Sequence, residues 1–561
     1  MDQKRVIVAV VICAGILFAW AKFFPGAQPP PEAPTATTAT KASPPAVPGT
    51  APVAAPANGA AVAGTPNGPT SYPEQETVIQ TPAEEFVFSS RAGVLKHARL
   101  RDAKFLAHKD QPGSGVDLVR TAEPALAPLR LVFPQSGFPA PPDDAWQIVP
   151  PPPGAPSNQV TYRAELPTVT IEKRIIVDTT RYRLHMDVTV QNRTGAPQDH
   201  HLGVQVSGLQ DHESKGGFFS GAASNTASIL CHVGDDTVRE DLEKIAKEKM
   251  TRTGAVGWVG ADEKFFLTAI VPYPEDPPRE LTCNGISAGP ETAIGQLLFA
   301  ERRVMPGART TYSFAVFVGP KVVSDLELVR PGGREVRLDK AVDVTLAPIS
   351  RPMLGLLKIF HGFTRNWGVA IILLTVFIRL LTFYPTQRSL MSAKKMQKLG
   401  PKMAAIRKKY ENDRQRQSVE TMNLYKAHGV SPFGGCLPSL IQMPIWIALY
   451  STLNYAVELY RSPFVFHIKD LTAKDPYYVT PLLMGGVMFV QMKMSPTSPD
   501  NQQQAMMAIM MPVMFTAFSL VLPSGLAVYM LTSYLIGILQ QLWVNHLDRK
   551  ANAPAPAPGR A

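Results

Sequence analysis

Tyr182, Leu184, Met186, Val188 and Val190 alternate with Arg183, His185, Asp187 and Thr189, a period of two that predicts a strand with one buried and one wet face. Val169–Val177 precedes it across Asp178-Thr179-Thr180, as a hairpin partner would, and Tyr312, Phe314, Val316 and Val318 repeat the period later. With frequent Pro and Gly punctuation, residues 72–348 read as an antiparallel β-sandwich. After Pro348 the pattern changes. Met353, Leu354, Leu356, Leu357, Ile359, Phe360 and Phe363, broken only by Lys358 and His361, predict an amphipathic helix lying along a membrane surface. Membrane-length apolar segments follow at about 367–384, 437–457, 479–492, 505–522 and 525–544. Val6–Trp20 makes a sixth.

The apolar pattern lapses in two places. Residues 25–71 collapse to Pro, Ala, Thr and Gly with almost no charge, which cannot bury a core and predicts a disordered tether; residues 548–561 read as a disordered tail. Residues 1–24 form an N-terminal membrane anchor and 349–547 a helical membrane core. Ala19-Trp20-Ala21 resembles a signal-peptide cleavage site, whereas Lys22 and the bulky Trp20 favour an uncleaved anchor.

Charge sets the orientation. Only 18 % of residues are charged, low for a soluble protein and high for one that is all membrane, so a mixed architecture is expected. The formal charge of +11 is concentrated: Thr386–Val430 holds 11 Lys/Arg against three acids, which places that loop in the cytoplasm. Counting spans from it puts both termini inside and the β-domain outside, in agreement with Lys4 and Arg5 ahead of the first span. The loop also has helical period, with Leu399, Met403, Ile406 and Tyr410 on one face, a turn at Glu411-Asn412-Asp413, and Val419, Met422 and Tyr425 on a second face. A helical hairpin carrying Lys394, Lys395, Lys402, Arg407, Lys408 and Lys409 fits either a solvated positive-inside loop or a polyanion-binding surface such as ribosomal RNA would meet.

Cys231 and Cys283 share the β-region. A disulfide, if that region faces an oxidising compartment, and two unpaired cysteines both satisfy the sequence. His200-His201, near Asp199 and His212, lacks metal-ligand spacing and reads as a solvated turn. No metal, cofactor or enzymatic constellation is expected, and no Walker A motif is present.

Candidate chemistry centres on Arg379, the one charge between Trp367 and Tyr384. A charge inside a span costs about 2.5–3.5 kcal/mol on insertion scales and marks a partner, a wet cavity or a path for something charged. It lies five residues from the end of the span, within reach of snorkelling to the interface. Thr375, one turn earlier, shares its face, and Gln442, Asn454, Ser519, Thr532 and Ser533 add polar groups at membrane depth. Met443, Trp446, Met484, Met507, Met510, Met511, Met514, Phe515 and Phe518 supply adaptable apolar surface.

Ser431–Ile445, Asp475-Pro476-Tyr477-Tyr478, Gln491–Pro496, Met511-Pro512 and Leu522–Leu526 stand in order and in register with these spans. On them the chain resembles the YidC family of membrane protein insertases. The resemblance is strong over about Arg351–Leu547 and looser over the β-region. It implies a five-span insertase core, preceded by the anchor span, with an all-β periplasmic sandwich in the inner membrane of a bacterium. Its groove would open to the cytoplasm and to lipid, with Arg379 as its charge and Thr375 and Gln442 as polar lining. Trp446, Phe515, Phe518 and Tyr529 would form an apolar slide for a client helix, and nascent membrane proteins, the Sec translocon, the ribosome and the bilayer would be the partners. Where members often carry paired tyrosines, this chain has Tyr529-Met530. Two other classes fit parts of the pattern. One is a transporter or channel using the intramembrane arginine, which the absence of an inverted repeat disfavours; the other is an anchored periplasmic glycan-binding or carbohydrate-active protein.

Overall fold

The computed structural model describes residues 71–551 except 107–114, 122, 155, 180, 211–226, 276–278, 343–345, 431–436 and 495–501. The expected anchor, all but the last residue of the tether, residues 552–561 of the expected tail, His212 and residues 431–436 of the Ser431–Ile445 motif therefore lie outside the described residues, while residues 548–551, expected in the disordered tail, are helical.

The period-two segments become strands of one sandwich. A nine-stranded antiparallel sheet runs from Asp236–Asp241 through Ala227–Val233, Val256–Glu263, Phe266–Pro272, Arg309–Pro320, Arg183–Asn192, Val169–Val177 and Gln159–Glu165 to Trp146–Val149. The expected hairpin is in it, with Val169 opposite Asn192 and Val177 opposite Leu184. A five-stranded sheet packs on it, ordered Met250–Gly254, Leu281–Ser287, Thr292–Phe299, Gly203–Leu209, Leu131–Val132. Inward residues such as Ile171, Met186, Val188, Val206, Phe314 and Val316 are fully buried between them, which is the stabilising consequence of the alternation.

Three polar groups complete this core. Cys231 on the larger sheet and Cys283 on the smaller one form a disulfide across the sandwich, their Cα atoms 6.1 Å apart. Lys173 is buried, its ammonium donating to the carbonyls of Gly93 and Leu129 at 2.5 Å each, and burial pushes its pKa down to about 7. His200 is also buried rather than in a solvated turn: it sits in the strand Gln198–His200, 2.9 Å from the Tyr312 hydroxyl, and burial with the neighbouring Arg302 pushes its pKa down to about 4. The polar Asp199 beside it masked an inward-facing position, because Asp199 pairs outward with Arg303 at 2.7 Å.

The helical half begins with α1 (Ala347–Thr364), which buries Met353 and Leu357 and leaves Ile359 and Phe363 exposed. Asn366 caps α2 (Trp367–Leu381), its side-chain oxygen accepting from the Val369 amide at 3.1 Å. At Thr382 the chain bends by 62° into α3 (Phe383–Lys398). There follow α4 (Gly400–Lys409), α5 (Arg414–Ala427), α6 (Leu437–Tyr455), α7 (Val479–Met494), α8 (Gln502–Ser519) and α9 (Ser524–Ala551). Each predicted span after residue 349 contains a helix, yet the lengths depart from expectation. Among the described residues, Ser524–Leu547 alone is long and apolar enough by itself to cross a membrane, and α2 with α3 qualifies as a bent pair. α2 has 15 residues and α7 has 16, about 22–24 Å of helix against the ~30 Å of a typical hydrocarbon core.

The sandwich and the helices meet around residues 456–461. Val457, just after α6, is part of the sandwich core, and the ring of Tyr460 lies 5.1–5.7 Å from those of Phe105, Phe265 and Phe266. Lys104 donates to the Val457 carbonyl at 2.6 Å and Arg461 to that of Leu106 at 2.8 Å.

The disulfide closes a loop of 52 residues, which constrains the unfolded chain by about 4 kcal/mol in the loop-entropy description. Cys231→Ser with Cys283→Ser, or reduction, should lower the unfolding free energy of the β-domain by an amount on the order of 2–4 kcal/mol, read as a lower denaturant midpoint. Following Trp258, which is buried in the same sandwich, reports it; an unchanged midpoint would show that the bond adds nothing to stability.

Candidate functional site

Arg379 lies two residues before the end of α2, half-buried, where its side chain reaches α9. Its Nε donates to the Ser533 hydroxyl at 2.9 Å, and a second guanidinium nitrogen bonds the same oxygen. Ser533 is buried and stands four residues after Tyr529, so the two share a face of α9. The Tyr529 hydroxyl in turn accepts from the Gln442 side-chain amide on α6. Three helices thus meet through a guanidinium, two hydroxyls and an amide, inside a cluster whose other members include Leu374, Ile378, Leu449, Leu453, Leu526 and Met530.

This regroups the residues singled out in the sequence. Arg379 and Gln442 come to one place, joined through α9. Tyr529, expected on the apolar slide, is buried and hydrogen-bonded at the polar cluster instead. Thr375 is fully buried and returns its hydroxyl to the Ile371 carbonyl at 2.6 Å, so its polarity is used within its own helix. Thr532 and Ser519 do likewise, bonding the carbonyls of Val528 and Thr516 at 2.8 Å each. Of the intramembrane polar residues, Ser533 is therefore the one that the sequence listing undervalued. Its signal was the four-residue spacing from Tyr529, but the Arg379 contact spans 154 residues and no local pattern encodes it.

Trp446 stands one turn after Gln442 on α6, half-buried, with its ring stacked 5.8 Å from that of Tyr450 and its indole nitrogen without a partner among the described residues. The face Gln442, Trp446, Tyr450 grades from amide to aromatic along one helix stripe. Phe515 and Phe518 on α8 are half-buried against the same cluster, while Met510, Val513 and Met514 are exposed. Met484 is fully buried and belongs to the packing between helices.

The basic segment is three helices rather than a two-helix hairpin starting at residue 386, because α3 continues the chain directly from the bend. Lys395, Lys402, Arg407, Lys408 and Lys409 are exposed and Lys394 is half-buried. Asp413 caps α5 by accepting from the Arg416 amide at 2.9 Å, and Tyr425 reaches Met403 across the pair at 3.2 Å. Val419 and Met422, expected on the inner face of α5, are instead 53 % and 42 % exposed.

If Ser533 holds the guanidinium, Ser533→Val should leave a buried charge without its acceptor and cost about 1–3 kcal/mol. Thr532→Val, next to it, removes a hydroxyl satisfied within α9 and should cost much less. Thermal unfolding of the two variants in detergent checks this; equal stability would deny Ser533 the role.

The helical half, residues 359–551, matches the family model described as 60Kd inner membrane protein, and residues 76–356 match the model of the YidC periplasmic domain. The chain is similar to the membrane protein insertase YidC of Syntrophus aciditrophicus (strain SB), 33 % identical over 97 % of this chain and 99 % of that one. It is 36 % identical to the membrane protein insertase YidC of Anaeromyxobacter dehalogenans (strain 2CP-C), over 100 % of this chain and 99 % of the relative. A solved structure described as an active YidC insertase with its first transmembrane domain resolved covers 84 % of this chain and 92 % of its own, at 19 % identity and a TM-score of 0.37.

Proposed function

The chain belongs to the YidC family of membrane protein insertases, and from that membership we propose that it moves nascent transmembrane segments from the cytoplasm into the inner membrane through a polar groove centred on Arg379. The observation that carries the groove is the guanidinium's choice of partner. At membrane depth an arginine pairs with a carboxylate or with backbone carbonyls, or escapes to the interface; among the described residues this one donates to a single hydroxyl, Ser533, which leaves further donors for a client. An acidic group in the translocated tail of a client fits that vacancy of charge. Pairing there spares the acid part of its desolvation cost while the tail crosses.

The client helix leaves along α6 and α8, by way of Trp446, Phe515 and Phe518, into lipid. Burial of its apolar surface in the bilayer supplies the drive, at about 25 cal/mol per Å². Gln442, Tyr529 and Ser533 keep Arg379 oriented toward the cytoplasmic side of the groove. Thr375 supports α2 rather than lining the groove. The exposed Lys395, Lys402, Arg407, Lys408 and Lys409, with Lys394, form the surface that meets ribosomal RNA, and the Sec translocon is a second partner for larger clients. Both termini are cytoplasmic and the sandwich is periplasmic. The proposal assigns no catalytic residue and no cofactor.

A purely electrostatic role predicts that Arg379→Lys retains much of the insertion activity. Arg379→Ala should lose about fivefold to tenfold for each acid in the client's translocated tail, on the order of 1–1.5 kcal/mol. Protease protection of a single-span client with zero, one or two acids measures it at matched expression. Equal insertion by the alanine variant across the series would remove the groove charge from the mechanism, and failure of the lysine variant as well would show that the fork geometry of the guanidinium is required. The topology has its own check. Cysteines placed at Lys469 should react with an impermeant thiol reagent from outside intact cells, and cysteines at Tyr410 should not; the reverse pattern would invert the orientation.

A further inference from the structure

The segment between α6 and α7 presents an aromatic tip that none of the described residues covers. Phe466 is 98 % exposed, with its backbone in the left-handed region at φ +52°, a conformation that costs a non-glycine residue free energy. The turn that presents it is tightly held: Phe464 and Ile468 are joined by a backbone hydrogen bond of 3.0 Å, and Ile468 is buried. Tyr477 and Tyr478, just before α7, are exposed as well, and Tyr477 sits edge-on to His467.

The loop is fixed to the ends of three helices. Phe464 packs against Gly368 at the start of α2, where an added Cβ would fall 1.9 Å from its ring, and Asn366 donates to the Phe464 carbonyl at 3.3 Å. The amides of Ser524 and Gly525, opening α9, donate to the carbonyls of Ala473 and Leu471 at 2.8 and 2.9 Å. Asp475, buried and bonded to His467, accepts from the amides of Tyr477 and Thr480 at 3.0 and 2.8 Å and so caps the start of α7. The tip thus stands at the level where α2, α7 and α9 all begin.

We infer that residues 463–478 form an interfacial anchor, with Phe466 and Tyr477 seated in the outer leaflet of the bilayer and Lys469 and Lys474 meeting anionic phospholipid headgroups. The occupant is lipid because the tip is continuous with the ends of the spans. Tyrosine, apolar at one end and wet at the other, is favoured at that depth, and the exposed phenyl ring of Phe466 gains by leaving water for the acyl region just beneath it. Lys469 and Lys474 are exposed on the same loop, which gives the headgroups their complement of charge. A rigid loop that holds a phenylalanine out in a strained conformation gains by covering it, and a loop tied to three helix ends would set their depth in the membrane. α1, with Ile359 and Phe363 exposed, would lie at the same boundary. The inference rests on the reading of α2 and α7 as membrane spans.

Nitroxide labels test both separately. Phe466→Cys, Leu482→Cys and Val78→Cys are each made in the full chain with Cys13 and Cys436 changed to serine, and reconstituted in vesicles of phosphatidylethanolamine and phosphatidylglycerol. Collision with oxygen is then compared with collision with a water-soluble nickel chelate. The label at 466 should favour oxygen severalfold relative to the label at 78 on the sandwich surface, approaching the label at 482 on the exposed face of α7. If 482 favours oxygen while 466 matches 78, the anchor is wrong and the spans stand. If 482 also matches 78, the span reading itself fails. Spin–spin broadening at 466 that grows with protein density would assign the tip to a second copy and overturn the lipid assignment.

Discussion

A guanidinium stays charged at every pH a cell meets, so Arg379 brings a permanent charge into a helical cluster built mainly from aliphatic and methionine side chains with aromatic rings packed around them. The helices around it are organised to accept that charge. α2 presents it three residues before a 62° bend at Thr382, α9 supplies Ser533, and α6 supplies Gln442 through Tyr529. Had a carboxylate stood where Ser533 does, the charge would be neutralised in place and the cluster would be a static ion pair. A hydroxyl orients the fork without cancelling it, so the electrostatic pull remains for a mobile partner. The client-binding role proposed for Arg379 requires this interaction to be left incomplete.

Backbone satisfaction explains which polar residues took part. In a nonpolar surrounding a Thr or Ser hydroxyl that cannot reach another helix bonds the carbonyl one turn back, and Thr375, Thr516, Thr532 and Ser519 all do so or bond the carbonyl three residues back. Their presence in a span is therefore cheap and says little about water. Gln442 and Ser533 have partners on other helices, which is what separates a site from a tolerated hydroxyl. The distinction is a matter of tertiary packing. Sequence periodicity found the helices and placed Thr375 beside Arg379, but it could not tell which hydroxyl would turn outward.

The same limit governs the rest of the comparison between sequence and structure. Alternation identified the strand Arg183–Asn192 and its partner Val169–Val177, because one buried face and one wet face impose a local period of two. It misread His200 as solvated, since a short edge-like strand of polar residues has no period long enough to show that its histidine packs under Tyr312. The bend after Leu381 was hidden by the apolar Phe383 and Tyr384, which extend the hydropathic run past the point where the helix axis turns. Val419 and Met422 fit the periodic face of a two-helix pair, yet α5 meets α4 through Tyr425 and leaves them in solvent. The disulfide was open from sequence because its two cysteines lie 52 residues apart on different sheets, and only the stacking of the sheets brings them together.

The joint at Tyr460 follows from the position of the loop it belongs to. Residues 456–462 are pulled into the sandwich by Val457 and by the aromatic socket of Phe105, Phe265 and Phe266, while the residues after them bind the starts of α2 and α9. One short connection therefore links the β-domain to the ends of several helices. Any tilt of α2, which carries Arg379, has to be accommodated either in that connection or at the bend after Leu381. The connection is held by packed rings and backbone hydrogen bonds, and at the bend Thr382 keeps its amide on the Ile378 carbonyl while its own carbonyl accepts from the Thr386 amide, so the change of axis is also built into a paired backbone.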